Sequence, residues 1–132
     1  MTCYMLDTNA VAHLLKRHVA VLQHVLAVPM ASLCISAITE GKLRFGLAKR
    51  PQATRLHQAV DEFLLRVDAL SWDSAATDIY GTVRASLESQ GRGLAPLDLL
   101  IATHPLSASC VLVTSERAFA QVPGLSLEDW TH

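Results

Sequence analysis

The sequence predicts an α/β domain with a central parallel sheet of about four to five strands flanked by helices. Two observations predict it. Short apolar runs alternate with stretches of helical periodicity, the pattern of parallel strands covered on both faces. Three carboxylates, Asp7, Asp98 and Glu116, each stand at the start of a helix or where an apolar run ends. Strand ends of an open α/β sheet meet at one edge, where ligands bind. At 132 residues the chain is read as one domain, residues 1–132, long enough for a substantial core.

The elements follow in order. Thr2–Leu6 reads as a short buried strand, and Asp7 or Thr8 caps a helix reaching about Arg17. Val19–Ala27 is a second short helix with Leu22, Val25 and Leu26 on one face, ended by Pro29. Leu33–Ser36 is a strand, and Ser36 caps a helix to about Ala48. Pro51 starts another helix at a position proline tolerates; its stripe is Leu56, Val60, Phe63, Leu64 and Val67. Val67–Leu70 is a brief strand. Asp73 caps a helix with Ala76, Ile79, Tyr80, Val83 and Leu87 on its inner face. Gly91–Ala95 is a loop, and Pro96 opens a helix to about Leu106 that Pro105 is expected to shorten or bend. Val111–Val113 is a strand, Glu116–Ala120 one or two helical turns, Pro123-Gly124 a turn, and Leu125–Leu127 a last strand.

Composition narrows the function classes. With 51% hydrophobic and 17% charged residues, disorder is confined to the termini. A net charge of −1 gives no global basic field for nucleic acid, so any RNA contact needs a local patch. Arg44, Lys49, Arg50 and Arg55 are the candidate; a solvated helix surface explains them equally well. No apolar run reaches the roughly 18–20 residues that span a membrane. The N-terminus enters a strand directly, which argues against a signal peptide. Cys3, Cys34 and Cys110 lie far apart, and no pair has metal-ligand or redox spacing. Their odd number and dispersal point to a reducing, cytoplasmic setting. His104, on an apolar helix face, reads as a packed histidine rather than a ligand.

The acids carry the chemistry. Each one alone is explained as a helix cap or as an anion near a helix N-terminus. Capping does not explain why all three converge on one edge. Acids brought together repel unless a cation sits among them, and hard divalent cations such as Mg²⁺ or Mn²⁺ take oxygen ligands. Asp7, Asp98 and Glu116 are therefore candidate metal ligands and catalytic residues. In phosphodiester hydrolysis such metals orient and deprotonate water and stabilise the leaving oxygen. Asn9, Thr114 and Ser115 are small polar neighbours suited to substrate or phosphate.

These segments resemble a known family. Met5-Leu6-Asp7-Thr8-Asn9 is similar to the opening motif of PIN-domain ribonucleases, in particular the VapC toxins of bacterial toxin–antitoxin pairs. Ile35–Thr39 resembles the second strand and helix entry, and Leu43–Gly46 continues that motif. Gly91–Ala102, with Pro96-x-Asp98-Leu99-Leu100-Ile101-Ala102, resembles the third motif. Leu112–Glu116 stands where the family has a Thr-Asn-Asp-type motif, and Val122–Leu125 with Glu128–Trp130 resembles the C-terminal ending. The resemblance covers nearly the whole chain. It implies a PIN fold and a metal-dependent endoribonuclease, often acting on tRNA. It also implies a homodimer and a VapB-type antitoxin that inserts a segment into the active-site groove and contacts DNA on the pair's behalf. An apolar groove lined by Ala10, Val11, Leu14 and Leu47 would suit that segment.

The chain departs from the family at position 42. The expected Glu is Lys42, within Lys42-Leu43-Arg44-Phe45-Gly46. Glu40 is a poor substitute: two residues along a helix is a turn of about 200°, and Arg44 is its natural surface partner. Lys42 shares an inward stripe with Ile38, Phe45 and Gly46. Either it snorkels to the surface or its ammonium lies among the three acids and replaces the metal's charge. The second alternative predicts a weakened or silent nuclease. Glu and Lys codons differ by one base, and a toxic nuclease selects for inactivating changes. Glu116 is one methylene longer than the usual Asp, and Ser115 replaces a common Asn.

Two other functions compete. One is a catalytically silent partner that grips its antitoxin within a DNA-binding repressor complex. The other is a response-regulator receiver. A receiver needs an acidic pair after its first strand and a lysine after its fifth; Asp7 has no acidic neighbour, and the strand after Cys110 ends in Thr114-Ser115-Glu116.

Overall fold

The computed structural model describes residues 1–132. Five strands form one parallel sheet in the order β3-β2-β1-β4-β5. They are β1 (Cys3–Leu6), β2 (Leu33–Ser36), β3 (Asp68–Leu70), β4 (Cys110–Val113) and β5 (Leu127–Glu128). The six helices are α1 (Thr8–Leu15), α2 (Val19–Leu26), α3 (Ala37–Ala48), α4 (Thr54–Arg66), α5 (Ser74–Ser89) and α6 (Pro96–Ala108). β1 lies in the middle, and the chain leaves it first towards β2 and β3, later returning to β4 and β5. The order therefore reverses between β1 and β4. In an open α/β sheet that reversal opens a crevice beyond the strands' carboxyl ends.

Alternation along the strands feeds two cores. Leu6, Ile35 and Val113 join Val11, Val21, Phe63 and Trp130 on one face. Leu112 joins Ile101, Ala102, Phe119 and Val122 on the other. The stripe read from the sequence along α4 is real: Val60, Phe63 and Val67 are buried.

Side-chain caps start the helices that matter for the site. Asp7 Oδ1 accepts the Ala10 N–H at 2.7 Å to begin α1. Ser36 Oγ accepts from Ile38 N at 3.0 Å to begin α3, and Asp73 Oδ1 accepts from Ala76 N at 2.9 Å to begin α5.

Three expectations need correction. Pro51 sits in a turn, and α4 begins only at Thr54. Pro105 does not cut α6, which continues to Ala108 and ends at Ser109 in the left-handed region with φ 56°. The last strand begins at Leu127 rather than Leu125. No helix is long and apolar enough to cross a membrane.

Candidate active site

Beyond the carboxyl ends of β1 and β4, Asp7, Asp98 and Glu116 line one small cleft, joined there by Thr8, Asn9, Lys42, Ile101 and Phe119. Each acid arrives by a different route. Asp7 is the residue after β1, Asp98 lies in the first turn of α6, and Glu116 follows β4 ahead of a short 3₁₀ helix over Arg117–Gln121. The cleft holds about 30 Å³, room for a water or two.

Asp7 is buried, at 3% exposure. Burial raises its carboxyl above the ordinary value of 3.8, and the nearby Glu116 charge adds to this; Thr114, the Ala10 N–H and Lys42 pull the other way. The deepest acid is thus costly to ionise, and what makes it tolerable is two hydrogen-bond donors and one cation.

That cation is Lys42. It projects from the second turn of α3, with Nζ 3.9 Å from Asp98 Oδ1, and both side chains are 34% exposed. Of the two alternatives for Lys42, the geometry selects the one that faces the acids. Glu40 turns outward and takes Arg44 at 2.9 Å. The stripe shared with Lys42 is not uniformly inward, however, because Phe45 is 63% exposed and lies beneath Lys49.

The polar neighbours divide. Asn9 is exposed and lines the cleft. Thr114 is buried, lends its hydroxyl to Asp7, and accepts the Glu116 N–H at 3.0 Å. It holds the Asp7 carboxyl and the backbone at Glu116, and is withdrawn from solvent rather than facing a substrate. Ser115 is exposed and does not line the cleft.

The donor set has the chemistry of a hard divalent cation: three carboxylates, with no sulfur or imidazole among the residues lining the cleft. Lys42 acts against it, because an ammonium already answers the negative charge that would draw the metal in.

A second feature opens beside the cleft. A groove of about 500 Å³ runs between α1, α3 and α4, sharing Thr8 and Lys42 with the acid cleft. Its floor includes Ala12, Leu15, Leu43, Leu47 and Leu56, and its rim carries Lys16, Arg50 and Arg55. Of the four groove residues expected from the sequence, only Leu47 belongs. Ala10 and Val11 are buried in the core and Leu14 packs against it, because that face of α1 turns towards the sheet. The next positions round the helix, Ala12, Leu15 and Lys16, face the groove instead. Of the basic patch, Arg50 and Arg55 reach the groove, whereas Arg44 is spent on Glu40.

His104 is packed, as its apolar surroundings implied. Its Nδ1 lies 2.7 Å from Ser36 Oγ, and Trp72 meets its ring edge-on. Burial lowers its affinity for a proton, against the pull of Asp73 and the Ser71 carbonyl. This bond ties the start of α3 to α6, the two helices that carry Lys42 and Asp98.

The cysteines overturn the reading from spacing. Positions 3, 34 and 110 are remote in sequence but occupy β1, β2 and β4, which are neighbours in the sheet. Cys3 and Cys110 are register partners and form a disulfide. Cys34 is free and buried, and burial with the nearby Asp68 charge pushes its thiol up to about 11. Parallel pairing is a non-local signal that no sequence spacing could carry.

The fold and the acid cleft define a class, and comparison with known proteins gives it a name. The family model of the PIN domain matches residues 4–125. A tRNA(fMet)-specific endonuclease VapC of Shigella flexneri is 35% identical over 132 residues, covering 99% of this chain and all of that one. Ribonuclease VapC2 of Rickettsia felis is 31% identical over 130 residues, covering 96% and 97% of the two chains. Among solved structures, a DNA-bound VapBC of Salmonella typhimurium superposes with a TM-score of 0.90 at 33% identity, over 98% of this chain and 99% of that one. The chain therefore belongs to the PIN-domain family and, within it, to the VapC ribonucleases of VapBC toxin–antitoxin systems.

Proposed function

We propose that this chain is a VapC-type endoribonuclease toxin whose activity is weakened by Lys42, and that Asp7, Asp98 and Glu116 hold Mg²⁺ or Mn²⁺ when it acts. The observation that carries the reading is the Lys42–Asp98 pair inside a three-carboxylate cleft. A bound divalent cation supplies an activated water and charge stabilisation on the leaving oxygen. The protein's own part is to fix the acids: Thr114 and the Ala10 N–H hold Asp7, and the first turn of α6 presents Asp98. Asn9 lies at the open side, where an RNA phosphate would arrive. Structured RNA, tRNA in particular, is the proposed substrate, in keeping with the named activity of the Shigella relative.

The groove between α1, α3 and α4 is the proposed seat of a VapB-type antitoxin. Its apolar floor suits an amphipathic helix, and Lys16, Arg50 and Arg55 favour acidic residues along that helix. Because the groove opens onto Lys42, a segment running through it ends beside an ammonium and not beside bare acids. Homodimer formation and DNA contact through the antitoxin belong to the same proposal; related complexes have been solved with DNA.

The competing reading is a catalytically silent antitoxin partner within a repressor complex, and Lys42 is what favours it. One experiment separates them. Initiator tRNA and bulk tRNA are incubated with this chain and with Lys42→Glu, each with Mg²⁺, Mn²⁺ or chelator. Weak metal-dependent cutting that rises sharply in Lys42→Glu supports the weakened nuclease. No cutting by this chain supports the silent partner, and cutting by Lys42→Glu alone assigns that silence to Lys42.

A further inference from the structure

At the end of the sheet opposite the acids, three sulfur atoms gather. Cys34 Sγ lies 3.4 Å from Cys3 Sγ and 4.0 Å from Cys110 Sγ. All three sulfurs fall within 4.8 Å of one another, with Cys34 and Cys110 buried and Cys3 partly so. The cause is topological: β2, β1 and β4 are adjacent, and the same face of the sheet presents one cysteine from each. Fully buried Met5 packs in the same cluster, so the surroundings are soft and apolar. The cluster is separate from the carboxylate cleft, since Cys3 and Asp7 stand at opposite ends of β1, about 13 Å apart along an extended strand.

We propose that Cys3, Cys34 and Cys110, once reduced, form a binding site for a thiophilic divalent cation of the zinc class. Thiolate–zinc bonds of about 2.3 Å place tetrahedral sulfur ligands about 3.8 Å apart. The separations of 3.4 and 4.0 Å from Cys34 bracket that value, so Cys34 already stands near coordination distance from both partners, and reduction frees Cys3 and Cys110 to part to the same spacing. Sulfur donors exclude Mg²⁺ and Mn²⁺ and select zinc or monovalent copper. Charge decides between these two. Three thiolates leave a net charge of −1 on a divalent ion and −2 on a monovalent one. With the Asp68 carboxylate near Cys34, the divalent ion leaves less uncompensated charge in a buried setting. Partly exposed Cys3 gives the side on which water completes a fourth position.

The Cys3–Cys110 disulfide is the closed form of this site. A dithiol reductant opens it by exchange: its two thiols become a disulfide as Cys3 and Cys110 each gain a hydrogen. Binding then displaces three protons, one per thiol, as three metal–sulfur bonds form. The bound ion would tie β2, β1 and β4 together, whereas the disulfide ties only β1 and β4.

The test uses the full chain, reduced anaerobically and verified to hold three free thiols. Cobalt(II) is titrated in as a spectroscopic probe, and zinc affinity is read by competition with a chromogenic chelator. The expected result is a near-ultraviolet thiolate-to-cobalt charge-transfer band that saturates at one equivalent of sulfur-bound cobalt, and a higher Tm with zinc. Cys34→Ala should abolish the band and weaken zinc binding at least about 100-fold, more than the loss of a supporting group costs. Asp98→Asn should leave the band intact, since the carboxylate cleft is elsewhere. X-ray absorption at the zinc edge of the unmutated chain reads sulfur ligation directly and does not depend on any variant folding. No charge-transfer band from the fully reduced chain, an undiminished band in folded Cys34→Ala, or an absorption edge fitted by oxygen and nitrogen alone would each overturn the proposal. So would a reduced chain that only re-forms its disulfide and takes up no cation.

Discussion

Replacing Lys42 with glutamate should switch on RNA cleavage and destabilise the metal-free protein at the same time. The substitution swings the charge in the cleft by two units. At the observed 3.9 Å, the attraction between Lys42 and Asp98 is about 1 kcal/mol in bulk water and about 4 kcal/mol at an effective dielectric of 20. Both side chains are 34% exposed, so solvent screening holds the net value near the lower figure, about 1 kcal/mol. A glutamate forfeits that attraction and adds repulsion of similar size from Asp98, with Asp7 and Glu116 also lining the cleft. The total is about 2 kcal/mol, equivalent to about 6–8 °C in Tm for a domain of this size.

The same 2 kcal/mol read as metal affinity is about 30-fold, since each 1.4 kcal/mol is tenfold. The fourth carboxylate adds to that. The assay is paired: thermal unfolding in chelator and in free Mn²⁺ at about 30 times its Kd, where binding adds about 2 kcal/mol, with tRNA cleavage under the same conditions. Lys42→Glu should melt lower than the parent in chelator, regain the loss with Mn²⁺, and cleave faster. Lys42→Gln should fall between, because it removes the cation without adding a ligand. A Lys42→Glu chain that melts higher in chelator, or that gains no cleavage with metal, would refute the reasoning, since both effects come from one ammonium.

Asp7→Asn in the Lys42→Glu background should abolish cleavage yet raise the chelator Tm, because asparagine keeps the helix cap and removes a buried charge; unfolding and cleavage assays check it together. Arg50→Glu with Arg55→Glu should weaken binding of an acidic VapB-derived helix by about tenfold or more at low salt, with the difference shrinking as salt rises, read by calorimetric titration. His104 predicts a pH dependence: its folded value lies below the ordinary 6.5, so the unfolded chain binds its proton first on acidification. Its contribution is therefore complete above about 6.5 and is lost as pH falls from there through the lowered folded value. His104→Leu should flatten the denaturant midpoint across that window while lowering it at neutral pH.

The fold was legible because its signals are local. Asp7, Ser36 and Asp73 announce helix starts, since each has a short polar side chain followed by an apolar stripe, and all three accept the backbone bond expected. The misplacements at Pro51 and Pro105 have a common cause. Proline propensity weighs one residue, whereas α6 is held by burial of Leu99 and Ile101–Pro105 against the sheet and α5. The cysteine cluster and the groove were illegible for a different reason. Both depend on which elements become neighbours: the pairing of Cys3 with Cys110 spans 107 residues, and the groove requires knowing which side of α1 meets the sheet. A shift of one residue round that helix exchanges Val11, a core residue, for Ala12, a groove residue.

The acid site lies between these cases, and position 42 shows why. A family pattern marks where a fourth acid belongs, but only geometry shows what a lysine there does. Three carboxylates converge on a cleft of about 30 Å³, one of them 97% withdrawn from solvent as its 3% exposure implies. Such a cluster folds more stably with a countercharge, whatever it later catalyses. A metal supplies that charge only when the metal is present, whereas Lys42 supplies it permanently from within the chain. Stability and the proposed catalysis therefore make opposed demands on a single side chain: a residue that relieves Asp7 and Asp98 would also repel a divalent cation. On this reasoning the substitution is a replacement of one cation by another. It would keep the fold, the cleft and the apolar groove next to it, and weaken the metal-dependent cleavage proposed for the acids.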